Sequence, residues 1–313
     1  MAVTVVGSIA FDAVKTPFGV RERMLGGAAV HFALAASFFD EVRVVGPVGD
    51  DFGDAELDVL RARGVDVSDI EHVAGGETFF WSGVYGWDLN SRETLETRLG
   101  VFETFEPKLS AAARESEVLF LANIQPDIQR AVRAQCTGAR FAALDSMNLW
   151  IDVARDSLVH TIAGVDCLVL NDAELKQLTG MPNTVKAARE VLSWGPPGPS
   201  SIIAKQGEYG ATLITADGYF SLPAFPLEDV VDPTGAGDTF AGGFVGYIAA
   251  CGGARDEELL RRAMAYGTAL ASFNVEEFGT ERVARLTGGE IAERVRELER
   301  VTHFSDAPVT LRG

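Results

Sequence analysis

Short, nearly unbroken apolar runs recur along the chain, at Val3–Val6, Val42–Val45, Val118–Leu121, Phe141–Leu144, Cys167–Leu170 and Ser201–Ala204. They are too short for helices, and runs of this kind predict strands buried on both faces. Between them, Ala28–Phe38, Asp54–Arg63, Asp127–Gln135 and Val185–Trp194 repeat their apolar positions at helical spacing. This alternation predicts βαβ units, hence an α/β fold with a mostly parallel central sheet covered by helices on both faces, in three α/β/α layers. After Ala204 the order changes. Thr212–Thr215 and Tyr219–Leu222 flank Ala216-Asp217-Gly218, a hairpin signal. Two long helices are expected over Thr239–Ala250 and Asp256–Phe273, and a charged surface helix over Gly289–Val301.

One stretch interrupts the rhythm. Residues 75–105 are rich in aromatics and Thr, with polar alternation over Thr94–Phe102, which favours antiparallel strands over a crossover helix. Ala13–Met24 has the same strand-and-turn character. The two excursions, about 13–24 and 75–105, are expected to pair into a small sheet acting as a lid on a single domain spanning 1–313.

Composition narrows the function. The 313 residues carry 45 acidic and 27 basic side chains, a net charge of −18, and 47% are hydrophobic. A sizeable core is available, while so acidic a surface repels nucleic acids and anionic membranes. Cys136, Cys167 and Cys251 lie far apart without metal-ligand spacing, as expected of thiols in a reducing cytosol. The N-terminus lacks the pattern of a signal peptide, and no run approaches the roughly eighteen apolar residues of a membrane span. The expectation is a cytoplasmic protein.

The chemistry concentrates in Asp232-Pro233-Thr234-Gly235-Ala236-Gly237-Asp238-Thr239-Phe240. Pro233 disfavours helix at Asp232, and Gly235 and Gly237 allow a tight turn and close approach of a ligand. A helix starting near Ala236 would aim its free N–H groups at an anion in that turn. Asp238 stands beside it, where a carboxylate can take a proton from a hydroxyl. An anion cradle next to a base suggests phosphoryl transfer to an alcohol. Asp238 as a helix N-cap is the plainer alternative.

Five motifs in this order resemble the PfkB carbohydrate kinase, or ribokinase-like, family: Val5-Val6-Gly7-Ser8-Ile9-Ala10-Phe11-Asp12, the Gly26-Gly27 pair opening an Ala-rich helix, Gly46–Gly53, Asn171-Asp172-Ala173-Glu174 and Asp232–Phe240. The resemblance covers the whole chain. It implies a ribokinase-like α/β domain with a β-sheet lid, and transfer of the ATP γ-phosphate to a hydroxyl of a sugar, polyol or related small molecule. A nucleoside acceptor is the alternative within the family, and a non-catalytic sugar- or nucleotide-binding regulator the alternative outside catalysis.

The resemblance also assigns roles. Asp238 would be the general base, and Gly235, Ala236 and Gly237 would offer N–H groups to the transferred phosphate. Asp12, Gly26 and Gly27 would hold the acceptor. His31 departs from the Asn of many relatives, yet would still contact the acceptor by one hydrogen bond. Asn171 and Glu174 would orient Mg²⁺ through water, although a helix-capping box explains them equally. Lys205 and Gly207 would border the nucleotide, and Asn274 its adenine or ribose. Asp232 and Thr234 would help bind a monovalent cation such as K⁺. At a strand end, Asp145 and Asn148 are candidates for acceptor or phosphate contacts. The aromatics Phe79, Phe80, Trp81, Tyr85 and Trp87 serve either acceptor specificity or the lid's own packing and a homodimer contact.

Overall fold

Among the described residues thirteen strands form two sheets: β1 Val3–Val6, β2 Ala10–Thr16, β3 Gly19–Gly26, β4 Val42–Val48, β5 Ile70–His72, β6 Phe79–Tyr85, β7 Arg92–Arg98, β8 Val118–Leu121, β9 Phe141–Asp145, β10 Cys167–Asn171, β11 Ser201–Lys205, β12 Ala211–Thr215 and β13 Tyr219–Leu222. The structure is a computed structural model and describes residues 1–304. The end of the expected 1–313 domain, 305–313, lies outside the described residues.

The large sheet has the order β13-β12-β11-β10-β9-β8-β1-β4-β5. Pairings from β5 through to β11 are parallel, and β11-β12-β13 is an antiparallel meander. The parallel strands are buried almost throughout, as their uninterrupted apolar runs require. Their C-terminal ends lie along one edge, where open α/β sheets gather ligands. Asp145, Asn171 and Lys205 are the last residues of β9, β10 and β11.

Helix limits follow local chemistry. Pro126 opens the Pro126–Gln135 helix, where its missing N–H is not needed. Asn171 with Glu174 forms a complete capping box for Asp172–Thr179. The Ala28–Ala36 helix is buried at all nine positions, consistent with a helix apolar all round. It packs against the Ala236–Ala250 helix with backbone nearly touching backbone. A Cβ on Gly242 would meet Phe32 O at 2.3 Å, and one on Gly246 would meet Ala36 Cα at 3.0 Å. On another side, a Cβ on Gly243 would meet Gly267 Cα at 2.9 Å in the Glu257–Asn274 helix.

The small sheet has the order β3-β2-β6-β7. β2–β3 and β6–β7 are antiparallel hairpins joined by a parallel β2–β6 pairing. Its first hairpin reaches from Ala10 to Gly26, wider than 13–24, because β2 begins three residues after β1 ends. Residues 100–104 form a 3₁₀ turn whose Val101 and Phe102 are buried.

Candidate active site

Gly235, in the left-handed conformation (φ +75°), is the N-cap of the Ala236–Ala250 helix. Ala236 N–H donates to Pro233 O (3.2 Å) and Thr239 N–H to Gly235 O (2.8 Å). Ala236, expected to offer its N–H to a phosphate, is therefore engaged within the turn. Gly237 and Asp238 sit in the first helical turn, whose N–H groups have no intrahelical acceptor. Asp238 makes no capping bond, so the N-cap alternative is not realised. Burial, then the nearby Asp145 and Glu174 carboxylates, push its carboxyl up to about 7 against the pull of Lys205. A carboxyl with so raised a proton affinity, at the first turn of a helix, is equipped to exchange a proton with a hydroxyl bound there.

Asp232 holds the turn from below. Its Oδ1 accepts Thr234 N–H (2.9 Å) and its Oδ2 accepts Gly279 N–H (2.9 Å). The residue is fully buried, and no Lys or Arg pairs with it among the described residues. A buried carboxylate lacking a cation has the chemistry a monovalent ion would satisfy.

Lys205 lies against the turn: a Cβ on Gly237 would meet its Nζ at 3.1 Å. The ammonium donates to Asp145 Oδ2 at 2.7 Å. Burial alone would lower the Lys205 pKa, but Asp145, Glu174 and Asp238 outweigh it and raise it. Asp145 also accepts Ser146 N–H (2.8 Å), so it belongs to the charged cluster around Lys205. Asn148 is exposed at the start of the Asn148–Val153 helix and is not brought to the cluster. A surface helix start, set beyond the strand end, accounts for the difference.

Asn171 Oδ1 accepts Glu174 N–H (2.7 Å), and Glu174 Oε2 accepts Asn171 N–H (2.9 Å). The capping reading is thus realised, and Glu174 Oε1 is left over. Burial and Asp145 raise the Glu174 carboxyl to about 7, opposed by Lys205. Three carboxylates face one ammonium here, an excess of negative charge suited to a divalent cation. Among the described residues no cluster of three or more His, Cys, Asp or Glu encloses a metal. The donor set fits Mg²⁺, which keeps most of its waters and needs one or two carboxylates.

At the other end, Asp12 on β2 is 5% exposed. Burial, Asp232 and Asp238 raise its carboxyl to about 7, while Gly27 N–H and Arg92 favour the charged form. The glycine pair makes room for it: a Cβ on Gly26 would lie 2.0 Å from Asp12 Oδ2, and Gly27 takes φ +95° with Ser8 O only 2.4 Å from a Cβ position. His31 is not placed among these groups. Its ring is 2% exposed, packed beneath Gly235, and Nδ1 is bonded to Asn274 Oδ1 at 3.1 Å. His31 lies in the second turn of a helix buried on every side, and that placement turns it inward.

A cavity of about 540 Å³ opens on the far side of the turn. Lys205, Gly207, Pro233, Ala236 and Gly237 line one end, and Phe225, Leu227, Val230, Ala271 and Val275 give an apolar wall. Lys205 and Gly207 therefore both border this cavity. Asn274 does not: it is fully buried, donates to Thr234 O (2.7 Å) and accepts from Thr239 Oγ1 (2.9 Å). The helix lines the cavity through Thr268, Ala271, Ser272 and Val275. These recur at i, i+3, i+4 and i+7, a single helical face.

The small sheet reaches this site at two points that the sequence did not reveal. Thr234 Oγ1 donates to Tyr85 OH at 3.2 Å, and Asn90 Nδ2 donates to Glu208 Oε1 at 2.9 Å. Arg92, across from Tyr85 in register, lies over the Trp81 ring at 5.2 Å and favours the charged forms of Asp12 and Glu174. The other aromatics divide. Phe79 packs edge-on against Phe102, Phe80 lies beneath Arg98, and Trp87 is 83% exposed beside Phe18.

A family model described as pfkB family carbohydrate kinase matches residues 2–285. Cytidine kinase of Thermococcus kodakarensis is 29% identical over 249 residues, 77% of this chain and 86% of that protein. The 2-dehydro-3-deoxygluconokinase of Thermoproteus tenax is 27% identical, covering 72% and 73%. The solved nucleoside kinase of Burkholderia thailandensis in complex with ADP-inosine superposes with a TM-score of 0.79 at 19% identity over 99% of each chain, a likeness of fold. No helix among the described residues is long and apolar enough to cross a membrane.

Proposed function

Since the chain belongs to the pfkB family of carbohydrate kinases and is an ATP-dependent phosphotransferase acting on an alcohol group, we propose that Asp238 is its general base and the Gly235–Asp238 turn its anion hole. One observation carries this reading: an uncapped carboxylate with a raised proton affinity stands beside free helix N–H groups. The acceptor hydroxyl, oriented by Asp12 and the Gly26-Gly27 loop, gives its proton to Asp238 as its oxygen attacks the γ-phosphorus. Charge spreading over the equatorial oxygens is met by the Gly237 and Asp238 N–H groups and by Lys205. The adenine occupies the apolar wall of the cavity, with Gly207 beside the phosphates.

Glu174 and Asn171 would hold Mg²⁺ through water, where the ion would neutralise phosphate charge. A monovalent cation beside Asp232 would balance its buried charge, and comparison of rates in sodium and potassium salts tests it. The small sheet acts as a lid, held closed by Tyr85 and Asn90, and excludes water from the transfer. Its exposed Phe18, Val20 and Leu95 suit a homodimer contact, which light scattering of the purified protein tests.

A sugar or sugar-like acceptor is the leading assignment. A nucleoside is the second reading, favoured by Trp81, which stands beside Asp12 in register and under Arg92, and by relatives named cytidine kinase and nucleoside kinase. A coupled ADP-release screen over sugars, sugar phosphates, polyols and nucleosides decides between them. The Asp238→Asn variant should stay folded and lose at least about 10²-fold in rate. Near-normal turnover in that variant refutes the assignment of the base.

A further inference from the structure

His31 and Asn274 meet directly behind the Gly235–Asp238 turn. Asn274 ends the Glu257–Asn274 helix and ties together three other elements. Its Nδ2 donates to Thr234 O (2.7 Å), which fixes the amide orientation, so Oδ1 must be the acceptor. Oδ1 receives Thr239 Oγ1–H (2.9 Å) and faces His31 Nδ1 (3.1 Å). The imidazole proton therefore sits on Nδ1. Nε2 is left as a lone pair, buried and without a partner among the described residues.

The ring also fills a particular space. A Cβ on Gly235 would fall 2.3 to 2.4 Å from His31 Cε1, Nδ1 and Nε2. The imidazole thus lies flat against the one left-handed residue of the turn. Thr234 and Thr239, both held by Asn274, bracket Gly235–Asp238 on either side. His31 itself belongs to the helix that begins at the Gly26-Gly27 loop.

We propose that His31 and Asn274 are a positioning pair, fixing the Gly235–Asp238 turn in register with the acceptor-binding loop. The proposal rests on the phosphotransferase reading above. Stability alone would not select this arrangement, because an enclosed acceptor without a donor is unfavourable. A phenyl ring of similar shape would remove that liability. What the imidazole adds is the Nδ1–H bond that orients the ring and ties its helix to Asn274. Small displacements of a base or oxyanion donor are expensive in rate: a shift of about 1 Å can cost about 10²-fold.

The test pairs His31→Phe with Asn274→Leu in the full chain. In His31→Phe, kcat should fall about 10²-fold with little change in KM for ATP, while the melting temperature is unchanged or higher. Asn274→Leu should lower kcat similarly, and the double variant should be no worse than either single one, as expected of groups acting as a unit. Independently of activity, ¹H–¹⁵N spectra of the wild type should show His31 protonated on Nδ1, a signature lost in Asn274→Leu. The proposal is overturned if folded variants keep kcat, if rate and stability fall together in His31→Phe, or if Nε2 carries the proton. A wild type inactive on every acceptor defeats the phosphotransferase reading instead, and the tautomer then decides this proposal alone.

Discussion

Replacing Asp12 by Asn should make the protein more stable and less active. Asp12 is nearly enclosed, and its carboxyl is raised from the ordinary 3.8 to about 7, first by burial and then by Asp232 and Asp238. Below the unfolded value both states are protonated and nothing is lost. As pH rises from about 4 to about 7 the unfolded chain ionises while the folded one resists, so stability falls across that window and stays low above it. A rise of about three units, at 1.36 kcal/mol each, corresponds to about 4 kcal/mol. Asn is nearly isosteric and cannot ionise. In ligand-free urea melts, Asp12→Asn should exceed the wild type by up to about 4 kcal/mol at pH 8, and by about 2 kcal/mol at pH 5.5. For a chain of this length, the pH 8 gain corresponds to roughly 6 °C in Tm. ADP release with the acceptor should fall in the same variant, because the carboxylate proposed to orient the hydroxyl is gone. A stability gap independent of pH, or a variant less stable at pH 8, would refute the reasoning. A site that destabilises its own fold is the expected signature of function.

Other substitutions probe the same frame. Gly235→Ala combines a left-handed backbone with a clash against His31 and should cost about 2–4 kcal/mol in denaturant melts together with most of the activity. Lys205→Met leaves the Asp145 carboxylate buried without its partner (2.7 Å), so unfolding free energy should drop by about 3–5 kcal/mol and KM for ATP should rise. Adding Asp145→Asn should restore most of the stability and none of the ATP affinity. Tyr85→Phe removes the hydroxyl bonded to Thr234. It should raise hydrogen exchange across β6 and β7 and leave that of the Ala236–Ala250 helix unchanged.

What the sequence disclosed was what the chain builds locally. The turn at 232–240 was legible because its proline, glycines and carboxylate are consecutive, β1 and β8 follow directly from their apolar runs, and β13 from the hairpin signal at Ala216-Asp217-Gly218. The Lys205–Asp145 pair was not legible, since it joins the ends of two strands with another between them. The contacts of Tyr85 and Asn90 were hidden for the same reason, because their partners are set by how one sheet leans on the other. Asn274 was misplaced by a rotation. It lies roughly 110° from the middle of the Thr268–Val275 face at 100° per residue, which turns it from the cavity to the buried network. The position of His31 depends on a glycine some two hundred residues away, and no local pattern encodes that contact.

The glycine contacts of the Ala236–Ala250 helix bear on how such a protein changes its substrate. With backbones this close on two sides, even a methyl group has nowhere to go, so mutation cannot gradually reshape the catalytic frame. The outer strand of the small sheet is under no such constraint: β7 is exposed along its whole length. Inheritance is thereby divided within one chain. One part tolerates almost no variation, while an outer strand can drift and be tried again without disturbing the packing beneath it.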